Sequence, residues 1–321
     1  MLVTGAGGFI GSHLSERLVE LGADVRGFFR YTSGGSRGWI EHADAGIRDA
    51  IEPVLGDLRD ADAVQHAVRG TEVVFHLGAL IGIPYSYVHP RETFETNVTG
   101  TLNVVTAARD HDVSLLVHTS TSETYGTATY VPIDEKHPLQ AQSPYSATKI
   151  AADKLAESFH HSFAVPLTTV RPFNTYGPRQ SPRAVIPTIA AQALHGTTVE
   201  LGHLSPVRDF TYVSDTVEGF IRAAMAAAIG QTFNLGSGEE ISVGNLVELV
   251  GEILEKKLHV EHDPRRDRPK ASEVDRLVSD NTRAREVLGW EPTVSLRDGL
   301  RRTLDWIGAT RQLPHPGAYA I

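Results

Sequence analysis

The stretch VTGAGGFIGSHL, residues 3–14, limits the folds open to this chain more than any other. Met1-Leu2-Val3 begins as a strand and runs into Gly5, Gly8 and Gly11, a G-x-x-G-x-x-G spacing. Ile10, Leu14, Leu18 and Leu21 then recur at helical spacing, and Gly22 closes the helix. Gly5 permits the tight turn, Gly8 lets backbone approach a pyrophosphate, and Gly11 lets helix and strand pack closely. The helix start offers unpaired amides to the phosphates. Many glycine loops only turn, but strand, glycines and amphipathic helix in this order point to a dinucleotide. Phe9 and Ile10, between the second and third glycines, are grouped with its contacts.

The alternation continues. Strand-like runs at Val25–Phe29, Val54-Leu55, Val73–Leu77, Leu115–Thr119 and Leu167–Val170 are separated by helical stretches, notably 100–110 and 145–160. Such a pattern predicts βαβ units, an α/β fold with a Rossmann doubly wound parallel sheet, and ligands at the carboxyl ends of its strands. After residue 172 prolines at 172, 178, 182 and 187 break the pattern. A strand at Thr232–Leu235 returns to the sheet, and helices at 243–255, 281–288 and 296–306 build a smaller C-terminal α/β substrate lobe. The expected division is 1–173 with 207–240 for the dinucleotide domain, and 174–206 with 241–321 for the discontinuous lobe. The cleft between them is the default ligand site.

Composition narrows the function. A chain of 321 residues with net charge −9 has no excess of positive charge for a nucleic-acid backbone. There is no cysteine, hence no disulfide, thiolate metal site or cysteine nucleophile, which fits a reducing cytoplasm. No run approaches the roughly 20 apolar residues of a membrane span. The N-terminus opens into a strand with no leader pattern, so a cytoplasmic location and no membrane partner are expected. The fifteen histidines include His160-His161, whose side chains diverge on a helix, and no H-E-x-x-H spacing occurs. No metal is expected.

Two further strand ends fit the cofactor. Asp57, in Gly56-Asp57-Leu58, can accept from an adenine amine, and Leu77-Gly78-Ala79 permits close approach of a ligand. The second strand ends in Phe29-Arg30-Tyr31-Thr32-Ser33 with no acid to select NAD through its ribose diol. Arg30, helped by Thr32 or Ser33, suits a 2′-phosphate, which leans the reading from NAD towards NADP.

Tyr145 and Lys149, in YSATK, share a helix face at i and i+4, and a lysine cation near a phenol favours the phenolate. Thr121 can hold the same substrate oxygen. On these motifs, with FHLGA, ETNVTGT, TSTSETYG, RPFNTYGP, RDFTYVSD and NLGSG, the chain resembles an extended short-chain dehydrogenase/reductase of the NAD-dependent sugar epimerase/dehydratase family. The resemblance spans nearly the whole length. It implies a nucleotide-sugar substrate, and a homodimer formed through helices 100–110 and 145–160. It also implies substrate roles for Asn174 near the diphosphate, for Arg208 and Arg268 as its cationic contacts, and for Arg183 and Pro187 near the base. Thr121, Tyr145 and Lys149 map onto the family's catalytic hydroxyl, tyrosine and lysine. Asn97 matches a family position whose role is structural or catalytic.

Glu123 discriminates among reactions. A 4-epimerase oxidises C4 and returns the hydride, so it needs no extra base. A 4,6-dehydratase must also remove the C5 proton and expel the C6 hydroxyl, and a carboxylate beside Thr121 can do so. Many such dehydratases carry Thr-Asp-Glu, with the aspartate as acid at C6. This chain has Thr121-Ser122-Glu123, as in GDP-mannose 4,6-dehydratases and UDP-glucuronate decarboxylases, so Glu123 or a water on Ser122 must serve. The stretches ALIGIPYSY (79–87), YGTATYVPIDEKHPLQAQSPYS and RQSPRAVIPT resemble dehydratases of the legionaminic-acid type, which implies GDP- or UDP-N-acetylglucosamine and puts Tyr85 and Ser86 in the sugar pocket. The expectation is an NDP-hexose 4,6-dehydratase. The alternatives are a 4-epimerase, a UDP-glucuronate decarboxylase with Arg183 on the C6 carboxylate, and a non-enzymatic NAD(P)-sensing protein.

Overall fold

The computed structural model describes residues 1–310. Seven parallel strands form the main sheet: β1 (Leu2–Thr4), β2 (Val25–Arg30), β3 (Ile51–Gly56), β4 (Val73–His76), β5 (Leu115–Thr119), β6 (Leu167–Pro172) and β7 (Thr232–Leu235). Their order is β7-β6-β5-β4-β1-β2-β3, which is the doubly wound Rossmann arrangement. The direction of winding reverses between β1 and β4, so a crevice opens at their carboxyl ends.

Register makes each face of the sheet apolar. Leu2, Val74, Leu116 and Leu167 align across β1, β4, β5 and β6. They pack on one face against α2 (Ala61–Val68), α3 (Gly100–Asp110) and α4 (Pro144–Phe163) through Val64, Val104, Ala156 and Phe159. Val3, Phe75 and Val117 point the other way. There they meet Leu14 and Leu18 of α1 (Phe9–Glu20), while Phe220 of the later helix Val213–Ala226 joins the same core. Side chains of this size contribute roughly 1.5–3 kcal/mol each when fully buried.

The expected elements differ from the observed ones mainly at their ends. β3 covers six residues rather than two, because Pro53 interrupts the apolar pattern yet is tolerated on an edge strand. The strand at 167 runs on to Pro172, and the helix expected at 145–160 runs from Pro144 to Phe163. Its start is fixed by a capping box between Ser143 and Ser146.

The smaller lobe contains α5 (Val185–His195), the Val213–Ala226 helix α6 at its border, α7 (Val243–Ile253) and α8 (Leu296–Ala309). Its small sheets pair Phe210–Tyr212 with Asn174–Tyr176, and Val207–Arg208 with both Ile241–Ser242 and Arg276–Leu277. Val207–Arg208 and Phe210–Tyr212, expected in the dinucleotide domain, thus pair with strands from segments expected in the lobe. The strands are too short to carry a period of their own. Residues 311–321, expected in the lobe, lie outside the described residues.

Candidate active site

At the sheet's reversal point, backbones come unusually close. A Cβ on Gly5, where φ is +71°, would lie 2.9 Å from Gly78 Cα, and one on Gly11 would lie 2.1 Å from the Gly5 carbonyl oxygen. Gly8, exposed, is the N-cap of α1 and brings no side-chain cap, so no capping side chain takes the first-turn amides of Phe9, Ile10 and Gly11. That is a cradle for an anion, and it fits a dinucleotide pyrophosphate. Leu58 lines the crevice between Gly78 and Gly100, and Leu77 and Ala79 lie half-buried beside it.

The adenosine end is more heavily charged than the sequence suggested. Asp57 is clamped by Arg59, whose Nε and Nη2 donate at 2.9 and 2.7 Å. Arg30 is exposed, but its guanidinium lies 3.6 Å from Glu92, and Ser33 is exposed nearby in sequence. Tyr85 donates its hydroxyl to Glu92 at 2.5 Å and packs on His89. The Tyr85 hydroxyl is therefore turned towards the Arg30–Glu92 pair, away from the sugar-pocket role expected for it.

The reactive groups converge on the end of β5 and the start of α4. Thr121 is the N-cap of a single 3-10 turn, Ser122–Tyr125, and accepts from the Glu123 amide at 3.3 Å. Ser122 is buried in that turn, and Glu123 is half-buried. Tyr145 and Lys149 lie on the buried face of α4. Burial pushes the Tyr145 phenol well above its ordinary range; a hydrogen bond with Thr121 opposes this, and the charges of Glu123 and Asp153 add to it. The expected effect of Lys149 on the phenol is not seen in this state. Lys149 Nζ donates to the Thr119 carbonyl at 2.6 Å instead, and burial lowers its own pKa, with Asp153 pulling it back up.

Three of the expected substrate contacts, Ser86, Pro187 and Arg183, lie in different surroundings. Ser86 is fully buried; its hydroxyl donates to the Ile83 carbonyl at 2.7 Å and accepts from the Tyr145 amide at 3.2 Å. It supports Tyr145 rather than lining a pocket. Pro187 is buried in the first turn of α5. Arg183 is exposed, beside Ser181.

Arg208 and Arg268 do converge. Both approach Glu273 Oε1, at 3.3 and 3.8 Å. Burial presses the Arg208 guanidinium below its ordinary range; Glu123 and Glu273 raise it, and Arg268 lowers it further. Arg268 Nη1 is buried with no hydrogen-bond partner, an unmet donor that fits a phosphate. Asn174 donates to the Asp209 carbonyl at 3.2 Å.

The glycine cradle and the Thr–Tyr–Lys cluster thus lie at the carboxyl ends of strands of one sheet, and the charge of Glu123 couples that cluster to the paired arginines. Residues 2–303 match the family model described as GDP-mannose 4,6 dehydratase. The chain belongs to this family. Members of the wider group with similar sequences include a UDP-glucose 4-epimerase of Mycolicibacterium smegmatis, 36% identical over 95% of this chain and 97% of that one. A dTDP-glucose 4,6-dehydratase of Xanthomonas campestris pv. campestris is 31% identical, covering 95% and 92%. The dTDP-glucose 4,6-dehydratase DesIV of Streptomyces venezuelae, solved with NAD bound, superposes with a TM-score of 0.86 at 30% identity, over 97% of both chains. This member of the GDP-mannose 4,6-dehydratase family is thus an enzyme of the NAD-dependent nucleotide-sugar dehydratase/epimerase type.

Further groups around the site are fixed by contacts between distant segments, Asn97 among them. Asn97 lies in a π-helical turn, Glu95–Thr99, and all of its amide is engaged: it pairs with both the amide and carbonyl of Leu80 and donates to Thr148 of α4. These bonds tie Leu80 to α4. Tyr87, rather than Tyr85, reaches across the cleft, to Ser272 at 2.6 Å. His203, His262 and Asp267 gather on the surface, with His262 Nε2 at 3.0 and 3.1 Å from the two carboxylate oxygens. Both imidazoles are more than half exposed, and the group reads as an ordinary histidine–carboxylate contact.

Proposed function

We propose that the chain is a nucleotide-sugar 4,6-dehydratase acting on an NDP-hexose, GDP- or UDP-N-acetylglucosamine being the first candidates. Glu123 carries the reading: a half-buried carboxylate on the turn that Thr121 caps, acting electrostatically on both Tyr145 and Arg208. Held at Gly5, Gly8 and Gly11, a bound dinucleotide would supply the hydride acceptor for C4 and the hydride donor for C6; the remaining steps are proton movements made by side chains. Tyr145 receives the C4 hydroxyl proton, with Thr121 holding the same oxygen. Glu123 removes the C5 proton, made acidic by the C4 ketone, and delivers it to the departing C6 hydroxyl as water. With Ser122 buried, Glu123 is the better acid at C6. The proton given up at C4 balances the one that returns to C5, so no net proton is consumed. Arg208 and Arg268 bind the diphosphate.

A 4-epimerase is the second reading, favoured by the Mycolicibacterium smegmatis relative and by the closeness of Glu123 to Arg208, which would make Glu123 a counter-ion. For the cofactor, the lean towards NADP weakens. Glu92 beside Arg30 would repel a 2′-phosphate, and the DesIV structure holds NAD, which together support NAD. A homodimer through α3 and α4 remains part of the proposal; Leu102 and Phe163 are exposed there. Incubation with GDP- and UDP-N-acetylglucosamine tests the reaction. Product lighter by one water supports dehydration, and unchanged mass with inverted C4 supports epimerisation. Glu123→Gln should abolish water loss while NAD binding stays within twofold; an active Gln variant refutes the assignment.

A further inference from the structure

Behind the reactive cluster lies a carboxylate that the proposed chemistry does not use. Asp153 is one helical turn beyond Lys149 on α4 and is 5% exposed. Its Oδ1 accepts from His118 Nε2 at 3.0 Å. Its Oδ2 accepts from the Ser120 hydroxyl at 2.6 Å and from Arg171 Nη2 at 3.1 Å. His118 Nδ1 is buried without a partner, which fits a neutral ring protonated at Nε2. Three donors from β5, its end and β6 thus meet on one acid of α4.

The location of Ser120 gives the contact its meaning. Thr119 supplies the carbonyl that takes the Lys149 ammonium, and Thr121 supplies the hydroxyl on Tyr145. Ser120 stands between them and is tied to Asp153. We propose that Asp153 is a positioning residue for the reaction, supplying the countercharge that keeps Lys149 an ammonium and fixing, through Ser120, the segment that holds Lys149 and Tyr145. The charged and titratable groups facing Lys149 are Asp153 on its own helix, and His76 and His118 on β4 and β5. Both histidines are held neutral by burial, so Asp153 is the negative charge among them. Arg171 of β6 faces Asp153 from the far side, and Glu123 acts on Tyr145 from the 3-10 turn. Although burial alone would raise the Asp153 pKa, the His118 hydrogen bond and the charges of Arg171 and Lys149 hold it below the ordinary carboxylate range, so it stays ionised throughout the working range.

The chain has six lysines, at 136, 149, 154, 256, 257 and 270, few enough to follow Lys149 Nζ directly by NMR of 15N-lysine-labelled protein. The signal is assigned by its loss in Lys149→Met. In Asp153→Asn, Lys149 should lose its proton about one pH unit or more below the wild-type midpoint. With the nucleotide sugar that wild type turns over, kcat should fall at least tenfold and its alkaline limb should move the same way, while KM changes less than threefold. Ser120→Ala removes two hydrogen bonds, the one donated to Asp153 and the one accepted from Arg171 Nε at 3.3 Å, and no charge, so it should lower kcat with the Lys149 titration unmoved. It also serves if Asp153→Asn does not fold, because a wild-type kcat in Ser120→Ala then overturns the positioning role. An unshifted Lys149 titration in folded Asp153→Asn refutes the countercharge. The turnover arm rests on the proposed dehydratase or epimerase reaction, but the titration does not. If wild type processes neither sugar, that reading fails, while the Lys149 result still decides this one.

Discussion

Replacing Gly11 by alanine tests whether this glycine is needed for packing rather than for the ligand itself. The new methyl carbon would lie 2.1 Å from the Gly5 carbonyl oxygen, 2.9 Å from the Gly5 carbonyl carbon and 3.2 Å from Ala6 Cα. All three are backbone atoms, so no side chain can swing away. Relief requires α1 to move off the β1 turn by about 1 Å, if the contact is to return to ordinary van der Waals range. Overpacking of this kind costs roughly 1–3 kcal/mol, and alanine recovers up to about 1 kcal/mol as a better helix former. A net loss of about 1–2 kcal/mol should appear in urea unfolding. The same movement carries the first-turn amides of α1 out of line with an anion, and charge-assisted hydrogen bonds are worth roughly 1.5–3 kcal/mol each. NAD affinity by calorimetry should therefore weaken at least tenfold. Gly8→Ala is the contrast. Its methyl meets only the Gly5 oxygen, at 3.2 Å, so stability should hardly change while NAD binding is lost. If Gly11→Ala unfolds like wild type and binds NAD as tightly, the packing argument is wrong.

Two other outcomes follow from named contacts. His13 is buried on α1 with Nε2 on the Pro178 carbonyl, and burial, then Arg179, lowers its pKa to about 4. Its folded pKa lies below the unfolded value, so the unfolded chain binds the extra proton as pH falls from about 6.5 to 4. Stability should drop over that window by about 3 kcal/mol and change no further from this group below it. His13→Gln should flatten that part of the pH–stability curve measured with urea. Arg268→Gln should raise KM for the nucleotide sugar by roughly ten- to a hundredfold, since a charged hydrogen bond contributes about 1.5–3 kcal/mol, with a smaller effect on kcat. An unchanged KM would remove Arg268 from the diphosphate site.

What the sequence determined by itself is what local spacing can encode. The glycines at 5, 8 and 11, the order of strands and helices, and the Tyr145–Lys149 face of α4 are set by neighbours within a turn or two. Periodicities of 2 and 3.6 residues carry that information directly. Tertiary structure alone decided which distant groups answer each other. Asp153 meets Ser120 and His118 across more than thirty residues, Tyr87 meets Ser272 across 185, and Arg208 and Arg268 share Glu273. It also turned Tyr85 to Glu92, buried Ser86 beneath the Tyr145 amide, and paired Phe210–Tyr212 with Asn174–Tyr176. Such pairings leave no periodic trace, because they depend on where the doubly wound sheet brings its strand ends together.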